Sequence, residues 1–361
     1  MEFNPAGTVK LKDGFTLNLS FQDQMLKVKN TDNTTGIEYE SDVPQFIPAL
    51  YAVYKKNRWA GFFAFNVPLG GGRVEFDNGN ARTIQAAEAI PVPTTAMKLE
   101  AESFGLAFTL GAAHQFNDWL SLSLAARYIN AKRAQEATIN KALPAFDASI
   151  DVEQDASGLG GVLGVDFFPK DWLTIGLTYQ SRISLDYDIE HKSGTNPVGT
   201  NILNAAGLVD GTSVRSDLPA LLGAGADVRV SDRLRWEVSF RYYFNRDADL
   251  GKASDGSDLA DKISDSIEFG VAVEYALLPK LKGSLGYLYS ATGGNADYMT
   301  PELPELNANT FAGGFAWEVV RDLDLQFAGG MATYAGQTDS AGRFSYDRNV
   351  PFLAFGVEYT F

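Results

Sequence analysis

The chain has 361 residues, a formal net charge of −15 and no cysteine. The negative charge excludes a nucleic-acid-binding protein, because no basic stripe accompanies it. No apolar run approaches the roughly 20 residues that a membrane helix needs, so a helical membrane protein is excluded as well.

The first predicted strand follows residues 1–13 and alternates apolar with polar side chains. Phe15, Leu17, Leu19 and Phe21 share one face, and Thr16, Asn18, Ser20 and Gln22 share the other. The same period of two recurs in residues 120–128, 234–244, 267–275 and 353–361. A strand that crosses a membrane presents one face to lipid and the other to a lumen, so this alternation is typical of a transmembrane barrel.

The connections between these strands alternate between short and long. Short turns are predicted at residues 55–58, 116–118, 169–171, 231–233, 278–280 and 320–322. Long polar loops are predicted near residues 30–44, 68–101, 135–156, 190–217, 248–264, 292–308 and 336–349. Short periplasmic turns and long external loops characterise outer-membrane barrels. Six turns and seven loops join fourteen strands, so we predict an all-β fold: a 14-stranded antiparallel transmembrane β-barrel over residues 14–361.

The tryptophans indicate where this barrel meets the membrane surface. Every one lies within a few residues of a short turn, and the five are Trp59, Trp119, Trp172, Trp236 and Trp317. An indole ring prefers the interface, where its ring is buried and its N–H stays hydrated. The five tryptophans therefore predict one interfacial rim on the turn side, although Trp119 and Trp172 fall off the lipid-facing register.

The second and third strands break the alternation. Residues 46–53 and 59–65 are apolar on both faces. A strand that is apolar on both faces needs apolar material inside the barrel as well as lipid outside it. This material is a plug segment, a hydrophobic ligand, or both.

Two of the long loops carry apolar residues that are unusual for external loops. These residues lie in segments 142–150 and 201–209. An exposed apolar patch often marks a binding site. The alternative is that the two loops pack their apolar side chains together and close the barrel mouth.

Short motifs near the N-terminus resemble those of a known family. The segment Asn4-Pro5-Ala6-Gly7 resembles the Asn-Pro-Ala motif of the N-terminal hatch in the long-chain fatty acid transporter (FadL/TodX) family. Pro68-Leu69-Gly70 at the end of strand three resembles the corresponding family motif, and the terminal Phe361 is consistent with it. In that family a longer hatch precedes Asn-Pro-Ala, so residues 1–13 are expected to form a short hatch remnant.

The resemblance implies uptake of hydrophobic small molecules, such as long-chain fatty acids or aromatic hydrocarbons, across the bacterial outer membrane. In this family the ligand enters a groove between the third and fourth external loops, reaches a pocket in the barrel and leaves sideways at a kink in strand three. Carried onto this chain, the groove corresponds to Leu143, Phe146, Ile202, Leu203 and Val209. The pocket corresponds to Phe46, Leu50, Phe63 and Phe65, the kink to Gly61, Ala64 and Asn66, and the hatch motif to Asn4, Pro5 and Ala6.

The expected partners are a hydrophobic ligand, outer-membrane lipid and lipopolysaccharide, and the barrel is expected to be a monomer. No enzyme activity is predicted, because His114 and His191 are the only histidines and neither is paired with a serine or carboxylate in the sequence. No cofactor or metal is expected, since the acidic stretch at residues 255–265 lacks the spacing of a calcium loop. A general polar porin and a protein-binding secretion shuttle built on the same barrel remain as alternatives.

Overall fold

The computed structural model describes residues 4–253 and 255–361. Residues 1–3 of the predicted hatch and residue 254 of the predicted loop 248–264 lie outside the described residues. The strands are β1 (Gly14–Asp32), β2 (Ile37–Lys56), β3 (Trp59–Phe76), β4 (Thr94–Asn117), β5 (Leu120–Lys141), β6 (Ala148–Lys170), β7 (Leu173–Gln180), β8 (Asp186–His191), β9 (Ser213–Arg215), β10 (Leu221–Arg229), β11 (Leu234–Tyr243), β12 (Ser266–Leu278), β13 (Leu281–Ala291), β14 (Ala308–Val320), β15 (Leu323–Tyr334), β16 (Gln337–Thr338) and β17 (Phe344–Thr360). The helices are α1 (Ala81–Glu88), α2 (Pro197–Ala205) and the 3-10 helices Pro5–Lys10, Pro144–Phe146, Asn245–Asp247 and Leu259–Asp261.

Fourteen of these strands form a closed antiparallel barrel, which confirms the predicted fold. Each pairs with its neighbour along the chain, β7 pairs with β10, and β1 closes the ring by pairing with β17. Strands β8, β9 and β16 add to the barrel edge on the side of the long loops. The six predicted turns are present as connections of two to four residues, and we call their side of the barrel the turn end and the opposite side the loop end.

Several predicted loops are in fact strand. The segment 30–44 contains the ends of β1 and β2 around a turn at residues 33–36, and segment 135–156 contains the ends of β5 and β6. These strand ends carry charged pairs on the outer face, such as Lys29 with Glu38, and buried apolar residues on the inner face, such as Val28. Because this part of the barrel projects beyond the lipid, its outer face is polar and the sequence pattern resembles a loop.

The outer surface nearer the turn end is apolar and exposed. Leu110, Leu285 and Leu353 are each more than 60 % exposed, as expected for side chains that face lipid acyl chains. All five tryptophans are exposed and lie in a turn or within four residues of one. Among the described residues, no helix is long and apolar enough to cross a membrane.

Candidate functional site: the barrel interior

The N-terminal segment folds into the turn end of the lumen as the 3-10 helix Pro5–Lys10, which we call the hatch helix. Asn4 caps this helix, because its Oδ1 accepts a hydrogen bond from Ala6 N at 3.1 Å. Its Nδ2 donates to Val165 O at 3.0 Å and to Asp166 Oδ1 at 2.6 Å on β6. The Oγ of Ser121 donates to Ala6 O at 2.9 Å. The Asn-Pro-Ala motif therefore fastens the hatch helix to the barrel wall.

Apolar packing holds the other side of the hatch helix. Val9 lies in a buried cluster with inward residues of β2 to β6, which we call the hatch cluster: Val9, Val53, Ala60, Phe62, Ala113, Ala125 and Val162. The Phe62 ring lies over Gly111, where an added Cβ would come within 2.6 Å of the ring. The plug is thus the apolar material that strands two and three need inside the barrel.

The pairing of β3 is interrupted above the hatch cluster. Its ladder with β2 ends at Leu50 and Phe65, although both strands continue. Along β4 the register shifts twice, so that residues 66–72 of β3 span only residues 103–107 of β4. Two extra residues therefore bulge out of β3. Residues 37–49 of β2 have no ladder partner on β3, and residues 46–49 are those between the end of the ladder and Gln45.

Glycines make this interruption possible. Gly70 and Gly72 have φ angles of 90° and 82°, a conformation that residues with a side chain rarely adopt. A Cβ on Gly70 would overlap the carbonyl oxygen of Ser103 on β4. Above the interruption the strands are rejoined by side chains, because Gln45 Nε2 donates to Arg73 O at 2.7 Å and Arg73 N donates to Gln45 Oε1 at 2.8 Å. The unpaired segment is therefore bounded both below and above.

A second buried cluster lines the inner side of the interruption, and we call it the lumen cluster: Ala107, Ile129, Ala131, Ala156, Ile183, Leu185 and Tyr187. Leu69, at the centre of the β3 bulges, packs against it. Ile183 follows β7 and turns into the lumen, where Gly158 and Gly160 of β6 leave room for its side chain. Asn66 is 6 % exposed, and its Oδ1 has no hydrogen-bond partner among the described residues. The opening in the sheet thus adjoins a mainly apolar interior.

A third cluster closes the loop end, and we call it the mouth cluster. It gathers inward residues of many strands with α1, α2 and the loop 292–307, including Leu26, Val28, Phe76, Ile84, Leu99, Ile150, Leu203 and Phe344. Val214 packs against both the mouth cluster and the lumen cluster. Apolar side chains therefore continue from the mouth to Leu69 at the interruption of β3.

Ion pairs hold α1 over the mouth cluster. Arg82 Nε donates to Glu302 Oε1 at 2.8 Å, and Glu302 is only 6 % exposed. The negative charge of Glu302 raises the pKa of Arg82. At the other end of α1, Arg343 Nη1 donates to Glu88 Oε2 at 2.9 Å, and this hydrogen bond lowers the pKa of Glu88. The helix is thus tied to two different loops.

The lumen wall on the far side of the barrel is polar. Strands β10 to β17 place many glycines and alanines inward, with charged residues between them. Arg241 donates to Glu268 Oε2 at 3.1 Å, Tyr243 OH donates to the same oxygen at 3.0 Å, and Arg235 pairs with Asp227. One half of the interior is therefore apolar and filled, and the wall of the other half is charged.

The predicted pocket residues lie on the wrong face of their strands. Phe63 pairs with Leu110 and Phe65 with Phe108, both of which are exposed on the outer surface. Leu50 pairs with Leu19 of the same outer face, and Phe46 is 66 % exposed. Because side chains alternate along a strand, the residues between them face inward, and Phe62 and Val53 line the interior instead. Because both faces of β2 and β3 are apolar, the sequence pattern does not show which face points into the barrel.

The predicted kink lies a few residues too early. Gly61 and Ala64 are in regular ladders with both β2 and β4. Asn66 is the last regularly paired residue with β4, and the irregularity follows it at residues 67–72. The motif Pro68-Leu69-Gly70 was the better indicator, because proline cannot donate to a ladder and Gly70 adopts the left-handed conformation.

The predicted groove residues are not brought together in one depression. Leu203 of α2 is 3 % exposed and belongs to the mouth cluster, and Ile202 packs against this cluster. Leu143, Phe146 and Val209 are at least 40 % exposed at the loop end. The apolar content of segment 201–209 therefore closes the mouth in part, which is the alternative that the sequence had left open.

Residues 1–360 match the family described as outer membrane protein transport protein (OMPP1/FadL/TodX). The chain belongs to this family. It is accordingly an outer-membrane β-barrel of a transport family, as the sequence predicted.

Solved structures share the fold at low sequence identity. The Pseudomonas putida toluene transporter TodX is 14 % identical over 99 % of this chain and 92 % of its own, with a TM-score of 0.72. A Pseudomonas aeruginosa FadL homologue is 15 % identical over 99 % and 93 %, with a TM-score of 0.69. The Ralstonia pickettii toluene transporter TbuX is 15 % identical over 99 % and 92 %, with a TM-score of 0.67. No curated protein matches the chain in sequence.

Proposed function

We propose that the protein takes up hydrophobic small molecules, such as aromatic hydrocarbons or long-chain fatty acids, and releases them sideways into the membrane between β2 and β3. The observation that carries the proposal is the continuity of apolar side chains from the mouth cluster through Val214 to Leu69. This path ends beside residues 46–49 of β2, just beyond the point where the ladder between β2 and β3 stops. The similarity to toluene transporters supports an apolar solute.

Lateral release is favoured by the cost of the alternative route. A solute that continued toward the turn end would meet the hatch cluster on one side and a charged wall on the other. Returning an apolar solute to water costs about 0.8 kcal/mol for each CH₂ group. A sideways exit at residues 46–49 avoids this cost, because the outer face at this height is lipid-facing.

Uptake into liposomes or whole cells tests the choice of solute. The protein should accelerate entry of a labelled alkylbenzene or fatty acid and leave a small sugar excluded. Transport of the sugar alone would establish the polar-porin alternative and overturn the proposal. Failure of all three solutes, together with recovery of one stoichiometric protein partner, would favour the secretion shuttle.

A disulfide across the opening tests lateral release separately. The chain has no cysteine, so the pair Ala49→Cys/Asn66→Cys would be unique, and it continues the register directly beyond Leu50 and Phe65. Closing it should reduce hydrocarbon uptake, and a reductant should restore it. The control pair Ala52→Cys/Phe63→Cys lies within the regular ladder and should have no effect. Undiminished uptake in the oxidised Ala49→Cys/Asn66→Cys protein would refute the sideways route.

A further inference from the structure

A small compartment in the barrel wall is shaped around the side chain of Asn4. A Cβ on Gly164 would overlap Asn4 Oδ1, and one on Gly176 would lie 2.8 Å from Asp166 Oδ1 and 3.0 Å from Asn4 Nδ2. On the hatch side, a Cβ on Gly7 would lie 3.1 Å from Asp166 Oδ2. Glycines on β6, β7 and the hatch helix therefore surround one contact, the hydrogen bond from Asn4 to Asp166.

We propose that Asp166 is the positioning residue that keeps the hatch helix seated and the turn end of the lumen sealed against polar solutes. Asp166 is 5 % exposed, and its Oδ1 receives the Asn4 amide at 2.6 Å. A hydrogen bond to a carboxylate is about twice as strong as one between neutral groups. The two neighbouring hydrogen bonds to the wall join neutral groups: Val165 O accepts from Asn4 and Ser121 donates to Ala6 O.

The geometry also indicates what an unseated hatch helix would expose. The hatch helix packs against β2 to β6, and the opposite wall carries inward carboxylates toward the turn end: Asp227, Glu237, Glu274, Glu318, Asp324 and Glu358. Their inward basic neighbours include Arg235 and Lys282, which pair with some of them. A lumen lined by an excess of carboxylates favours cations. Loss of the seal should therefore produce a leak that is selective for cations.

The test uses three variants of the full chain in planar bilayers and liposomes. Asp166→Ala removes the acceptor, and Asn4→Asp places a second carboxylate against Asp166. The double variant Asn4→Asp/Asp166→Asn restores one donor and one acceptor. Asp324→Ala is the matched control, because it also removes a lumen carboxylate but lies on β15. A difference in mobility between heated and unheated samples on a denaturing gel reports whether each barrel is folded.

We expect Asp166→Ala and Asn4→Asp to raise cation conductance and sugar leak by about 10- to 100-fold, the factor that loss of one charged hydrogen bond gives. The double variant should leak less than Asn4→Asp alone, and Asp324→Ala should stay sealed. Thr8 is 5 % exposed, and the thiol of Thr8→Cys should react faster with a polar thiol reagent when it is combined with Asp166→Ala. Rescue by the double variant Asn4→Asp/Asp166→Asn would separate a specific contact from a general loss of packing.

Three results would overturn the inference. They are a sealed and folded Asp166→Ala barrel, an unchanged reaction rate at position 8, or a double variant that leaks as much as Asn4→Asp. The inference concerns the seal and not the solute, so it is judged by sugar and ion leak and by the reaction rate at position 8. Failure of the parent protein to transport an alkylbenzene would count against the proposed function and leave this result unaffected.

Discussion

Substitution of Gly70 by alanine tests whether the interruption of β3 depends on one backbone conformation. Gly70 has a φ angle of 90°, and the side chain of any other residue would have to adopt it under strain. The new methyl group would also overlap Ser103 O, a backbone atom of β4 that cannot move aside cheaply. Both effects act on the segment that bulges out of the sheet.

The two effects can be separated with a matched control. Gly36, in the turn between β1 and β2, has a φ angle of 74° and nothing within 4 Å of an added Cβ. Gly36→Ala should therefore cost only the conformational part, about 1–2 kcal/mol. Gly70→Ala should cost the same plus about 1–3 kcal/mol for the overlap, unless β3 relieves it by straightening.

Urea unfolding of the liposome-inserted barrel measures the free energy of unfolding, and alkylbenzene uptake reports whether β3 has straightened. We expect Gly70→Ala to lower the free energy of unfolding more than Gly36→Ala does, or to keep stability while uptake falls because β3 has re-paired with β2. Gly36→Ala should leave uptake unchanged. A Gly70→Ala protein with the stability of Gly36→Ala and full uptake would refute the reasoning.

Three further predictions follow from the site. Phe62→Glu should unseat the hatch helix and raise sugar leak, because Phe62 packs in one cluster with Val9. Phe63→Glu should instead impair membrane insertion, because Phe63 lies on the outer face. The reverse result in leak and insertion assays would place Phe63 in the interior. The pKa of Glu88 is lowered by Arg343, so the stability that it contributes is present above about pH 4, the ordinary value of a glutamate, and is lost as pH falls through the lowered pKa. Hydrogen exchange of α1, corrected for intrinsic rate, should therefore show the helix loosening in acid, and Arg343→Met should abolish that pH dependence. Tryptophan fluorescence should be quenched more by bromine near the lipid headgroups than by bromine at the chain ends, and equal quenching would contradict a rim of interfacial tryptophans.

The sequence by itself determined the barrel and which of its ends carries the short turns. A period of two in β1, β11, β12 and β17, together with alternating short and long connections, specified fourteen strands, because each strand meets lipid on one face and the lumen on the other. The tryptophans marked the turn end, since indole partitions to the interface. The Asn-Pro-Ala motif located the hatch, because Asn4 is the cap of the hatch helix.

Only the tertiary structure decided what lies inside. Where both faces of a strand are apolar, as in β2 and β3, a period of two does not show which face points inward. The sequence therefore predicts Phe63 and Phe65 inside the barrel, whereas Phe62 lies inside and they lie outside. The position of the β3 interruption depends on the register with β4, a long-range property of which Pro68-Leu69-Gly70 is a local sign. The partner of Asn4 was invisible for the same reason, since Asp166 lies 162 residues away and becomes its neighbour only when the barrel closes around the hatch helix.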